Sequence, residues 1–140
     1  MKPAVPVVVT HLAERLRNEI VPQLAGFSAS NVAMAAQMLD MVAQDWDRAA
    51  ARLFAENADL RTLLAHGAAL TGGKAPPLDP DTDLRISALE AANDALRRDL
   101  ITLHAEIETR GGDDARALDA AIWDALRRSV ERRRVASANF

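Results

Sequence analysis

Residues 31–66 read NVAMAAQMLDMVAQDWDRAAARLFAENADLRTLLAH, and this stretch decides the fold. Val32, Ala35, Leu39, Val42, Trp46, Ala49 and Leu53 recur in steps of three and four. Leu60 and Leu63 resume the phase after Glu56 takes one inward slot. A sustained seven-residue apolar repeat lays one stripe of a helix against other helices. Neither glycine nor proline interrupts it from Asn31 to His66, which predicts a long helix capped by Ser28 or Ser30. Asp45-Trp46-Asp47 is where such a helix would bend, or divide into two.

Working outward, Leu12, Leu16, Ile20 and Leu24 form the stripe of a first helix that begins between Pro6 and Thr10. Pro22 should kink its last turn, because proline cannot donate to the carbonyl of Asn18, and Gly26 should end it. Thr71 to Pro80 is a loop by composition. Asp79-Pro80 then has the form of a helix start, with a capping carboxylate before a proline. In the third helix Ile86, Leu89, Asn93, Leu96, Leu100, Leu103 and Ile107 make an unbroken seam, closed by Arg110-Gly111-Gly112. Asp113-Asp114 opens the last helix, whose stripe is Leu118, Ile122, Leu126 and Val130. The expected architecture is all-α: one domain over 1–140, an antiparallel bundle of about four helices at roughly 8–25, 30–66, 80–110 and 113–136, with a flexible loop at about 71–80.

Composition agrees with this reading. The chain has 140 residues, is 49% apolar with only 4% aromatic, and contains no tyrosine or cysteine. The lack of cysteine excludes disulfides, thiolate metal sites and a cysteine nucleophile, and it fits a cytoplasmic setting. A formal net charge of −3 argues against a nucleic-acid-binding surface. The N-terminal apolar run is short and broken by Pro6, so neither a signal peptide nor a membrane helix is expected.

Four groups of residues are candidates for function. Met34, Met38 and Met41 form a second apolar stripe on the first half of the second helix. A helix apolar on two sides must be covered on two sides, which points to a dimer or partner surface. Asn93 interrupts the third seam. Either it meets a buried partner amide and selects one register, as at a dimer surface, or it faces water at a bundle edge. Arg127, Arg128, Arg132, Arg133 and Arg134 make the one basic cluster. Arginine forks suit phosphate, so Arg127, Arg128 and Arg132 are candidate phosphate ligands, although cations also suit a helix C-terminus. Asp40, Asp45, Asp47 and Glu56 lie near Trp46, where Arg48 and Arg52 offer ordinary helical ion pairs.

No metal site is expected. His11 with Glu14 and His104 with Glu108 have the spacing of solvated helix-surface pairs, and His66 stands alone. Gly72-Gly73-Lys74 lacks the strand, spacer and following hydroxyl of a phosphate-binding loop. No catalytic residue and no cofactor can be assigned.

The stretch Leu16 to Trp46, with Ile20-Val21-Pro22-Gln23-Leu24-Ala25-Gly26 and Asn31-Val32-Ala33-Met34-Ala35, resembles a small bacterial family of uncharacterised helical proteins. The layout from Ala92-Asn93-Asp94-Ala95-Leu96 to the tail Ala136-Ser137-Ala138-Asn139-Phe140 is similar too, although that family's asparagine would be followed by proline. Members are often encoded beside acyl-CoA dehydrogenases and phosphotransferase-like kinases. The resemblance implies a setting in acyl-CoA metabolism and no catalytic residues. The expectation is therefore a non-catalytic interaction or accessory protein, a homodimer, with a partner enzyme as a further occupant of its surface. The alternative is a small-ligand binder or enzyme of acyl-CoA type, with a bundle cavity for the acyl chain and the C-terminal arginines for phosphate.

Overall fold

The computed structural model describes residues 3–136. Among them the regular structure is entirely helical: α1 Val5–Arg15, α2 Gly26–Thr71, α3 Ile86–Thr109 and α4 Asp113–Arg133, with no strand. No helix among the described residues is long and apolar enough to cross a membrane. The last four residues of the similar tail, 137–140, lie outside the described residues.

Helix α2 is continuous for 46 residues, about 70 Å, and passes Trp46 without a break. It begins at Gly26, so Ser28 and Ser30 lie inside it, and Ser30 Oγ donates back to the Gly26 carbonyl at 3.5 Å. It also runs past the expected end at His66, through Gly67, to Gly72. There φ of +78° closes the helix, with the Gly72 N–H donating to the Ala68 carbonyl at 2.9 Å. The first helix starts earlier than expected, with Pro6 in its opening turn. Its end follows from Pro22. Leu16–Ile20 widens into a π turn, the Val21 N–H reaching the Leu16 carbonyl, and Val21–Gln23 tightens into a 3-10 turn.

The chain divides into two compact units: one runs to Ala49 and resumes at Arg134, the other is Ala50–Arg133. In the first, the Arg17 guanidinium pairs with the Asp40 carboxylate. The returning chain is held where the Arg48 guanidinium donates to the Arg134 carbonyl and the Ala136 N–H to Gln44 Oε1 at 2.9 Å.

The second unit is a three-helix bundle. Its core is built from Leu60, Leu63 and Leu64 of α2, Leu96, Leu100, Leu103 and Ile107 of α3, and Ala115, Leu118, Ile122 and Ala125 of α4. The direction of one pair differs from the antiparallel expectation. Asn57 meets Asn93 and Gly67 faces Leu103, the same offset of 36 residues at both points, so α2 and α3 run parallel. Arg97 meets Ser129 and His104 meets Asp119, so α4 runs antiparallel to α3. The heptads of α2 and α3 are compatible with either direction. The connection decides, because some fourteen extended residues reach about 46 Å and can return along the whole shared length.

That connection also explains why α3 begins at Ile86 and not at Pro80. Asp81 leaves the local chain to accept from Asn57 Nδ2 at 2.9 Å and Arg61 Nη1 at 3.2 Å. Asp83 accepts from the Arg85 N–H at 3.1 Å, a turn that hands the chain to the helix. On α4 the inward row is Ala115, Leu118, Ile122, Ala125 and Ser129, while Val130 is exposed and Leu126 only partly buried. The predicted stripe had run off this row, since it counted apolar residues and so passed over Ser129.

Gly67 is a helix-interior glycine with a packing reason. A Cβ built there would lie within 2.9 Å of Leu103 Cγ and overlap its methyl groups, so glycine permits the close approach of α3. Gly67→Ala gains about 1 kcal/mol of helix propensity, but overpacking against the buried Leu103 costs about 1–3 kcal/mol. A net loss of about 1 kcal/mol is expected in urea unfolding, reduced when combined with Leu103→Val. A stabilised single variant would show that the core yields freely at this point.

Candidate functional site

Two features set this chain apart from a plain helical bundle: a polar network inside the Ala50–Arg133 unit and an apolar face on the first half of α2.

The network starts at Asn93. Its Nδ2 donates to Asn57 Oδ1 at 2.9 Å, and both asparagines are buried. Asn57 Nδ2 in turn donates to the Leu89 carbonyl at 3.1 Å and to Asp81. Asn93 Oδ1 accepts from Arg97 Nε at 3.0 Å. Arg97 Nε also donates to Glu56 Oε1 at 2.8 Å, and Glu56 Oε2 accepts from Ser129 Oγ and from Arg133, both at 3.1 Å. The Glu56 side chain is 4% exposed, so its charge is met inside the fold by residues of α3 and α4. Burial alone would raise its pKa. The hydrogen bonds from Arg97 and Arg133, helped by Asn93, outweigh that and hold the carboxyl below its ordinary 4.5. Asp81 is likewise held low, chiefly by Arg61, against burial and with help from Asn57.

Asn93 is therefore an interior residue and not part of a dimer surface. Its partner amide is supplied by this same chain. An Asn–Asn pair at facing seam positions of parallel helices satisfies both amides in one register only, which is a recognised use of such a pair. Asn57 and Arg97 were not singled out from sequence. The available signal was that Glu56-Asn57 interrupts the second seam as Asn93 interrupts the third.

Arg127, Arg128 and Arg132 line one shallow surface pocket, which Asp124 and Glu131 share. Arg127 pairs with Asp124, Arg132 Nη1 lies 2.9 Å and Arg128 Nε 3.6 Å from Asp59 Oδ2, and Arg133 is committed to Glu56. The phosphate-binding expectation for Arg127, Arg128 and Arg132 thus meets carboxylates already in place. The interior is filled by leucine and isoleucine side chains. Asp40 and Glu56, grouped in sequence, face Arg17 and Arg97.

The apolar face is the inverse of the core. In the unit that runs to Ala49, the buried apolar residues among those described are Ala13, Ala36, Ala43 and Ala49, all alanines. The large side chains lie outside: Met34 is 55%, Met38 58%, Val42 50%, Trp46 51% and Phe27 81% exposed. Met41 is half-buried. Val42 and Trp46 belong to the seam that α3 and α4 cover further along α2, so here the expected inward positions face outward. The covered side carries Ala36, Asp40 and Ala43 instead.

His104 is not the solvated residue its spacing suggested. Its side chain is 18% exposed, with Nε2 2.8 Å from Asp119 Oδ1 of α4 and 3.8 Å from Glu108 Oε1. The Trp123 ring packs edge-on at a centroid distance of 5.6 Å. His11 and His66 are exposed.

No protein-family model matches this chain, and neither a curated protein nor a solved structure is detectably similar to it.

Two outcomes test the network. Glu56 binds its proton more weakly folded than unfolded, so its contribution is complete above pH 4.5 and is lost as pH falls through the lower folded value. Glu56→Gln should cost about 2 kcal/mol at pH 7 and flatten the loss of stability on acidification, measured by urea unfolding. An unchanged acid slope would assign that slope to other carboxylates. Asn93→Leu should leave the Asn57 amide unpaired and cost about 2 kcal/mol, with no change in oligomeric state; a gain in stability would count against the register role.

Proposed function

We propose that this protein is a non-catalytic interaction protein that assembles as a homodimer through the first half of α2. One observation carries the reading: among the described residues up to Ala49 the buried apolar side chains are all alanines, while eleven large apolar side chains from Val5 to Trp46 stand exposed. Four alanine methyls contribute only about 0.8 kcal/mol each to burial, too little to order a unit of this size.

The face is also self-complementary. Met34, Met38, Val42 and Trp46 form one row at four-residue spacing and carry no charge. A two-fold axis between Met38 and Val42 brings Met38 onto Val42 of a second copy and Met34 onto its Trp46. Rows of this spacing on both helices interlock at a crossing angle near −50°. The thioether of Met34 against an indole ring is a favourable contact, and a two-fold arrangement uses it twice. A partner enzyme, the other occupant expected from sequence, would bind the same row.

Light scattering across a concentration series should return twice the chain mass, and Met38→Glu should return one chain mass with helix content retained by circular dichroism. A wild-type chain that is monomeric throughout would remove the homodimer and leave the face to a different protein.

A further inference from the structure

We infer that His104, Glu108 and Asp119 form a zinc site that clips α3 to α4. One ligand atom from each of the three lies within 4.8 Å of the others. His104 and Glu108 are one turn apart on α3, and Asp119 comes from α4 beside the connecting turn Arg110–Gly112. Ligand atoms around tetrahedral zinc, at about 2.0 Å from the ion, are about 3.3 Å apart. Present separations from His104 Nε2 are 2.8 Å to Asp119 and 3.8 Å to Glu108, so shifts on the order of an ångström make the set. Water would complete the fourth position.

In the same unit Glu56, Asp59, Asp81, Asp83, Glu106, Asp113 and Asp124 are met by arginine. Among the described residues, Glu108 and Asp119 have no polar partner except His104. Two carboxylates and one neutral imidazole balance a divalent cation, and the imidazole selects a borderline ion such as zinc over magnesium or calcium. Trp123, edge-on to His104, limits rotation of the ring and places a fluorophore beside the site.

The test is calorimetric titration of zinc into tag-free, chelator-treated full-length protein, followed in parallel by tryptophan fluorescence and thermal melting. The expected result is one zinc per chain, a rise in midpoint, and a fluorescence change that disappears in Trp123→Phe. Glu108→Gln alters an exposed side chain and should leave the fold intact while weakening binding at least about tenfold; His104→Gln should abolish it. No binding at about 100 µM zinc would overturn the proposal. So would undiminished binding in Glu108→Gln and His104→Gln, or equal affinity for magnesium and calcium.

Discussion

The second unit depends on a carboxylate placed where a leucine would otherwise be. Glu56 lies in the seam of α2, and an isolated charge there would cost several kcal/mol to desolvate. Arg97 from α3 and Arg133 with Ser129 from α4 bring the hydrogen bonds that offset it. Because the three helices each contribute, the charge is satisfied only when all three stand at one height. Leucine seams can slide by a heptad at modest cost; this arrangement cannot. The Asn57–Asn93 pair, a step along the same seam, adds the same restriction between the two parallel helices. Apolar burial supplies the drive to assemble, and these polar contacts select one assembly.

Parallel packing of α2 and α3 follows from the linker as much as from the helices. A short turn would have forced an antiparallel hairpin, as it does between α3 and α4. The longer connection returns along the bundle and is fastened midway by Asp81 to Asn57 and Arg61. The linker is thus tied to the same asparagine that sets the register, so loop and core are not independent.

Helix α2 presents one chemistry in two circumstances. From Leu60 to Leu64 its seam is buried against leucines of the neighbouring helices; at Val42 and Trp46 the same row has no equivalent cover among the described residues. Alanines at Ala36 and Ala43 fill the opposite side, where small residues allow close packing and contribute little apolar area. The length of this exposed apolar row is the reason the proposed dimer is centred on it.

Sequence alone determined the helical class, the four helices and the inward positions of α3 and of α2 beyond Ala49, because heptad spacing reports which side of a helix avoids water; the stripe of α1 and the first half of the α2 seam stand largely exposed. It also marked Glu56 and Asn93 as polar residues at inward positions, and the methionine row as a second apolar stripe. Tertiary structure alone decided the rest. Whether α3 runs with or against α2, which arginine meets Glu56 and which amide meets Asn93 depend on residues 36 to 77 positions apart, and periodicity carries no information at that range. The same holds for Asp119, which turns an ordinary His104–Glu108 pair into a three-ligand cluster only when α4 folds back onto α3. Local spacing sets the face a side chain occupies; its partner is set by how the helices are laid together.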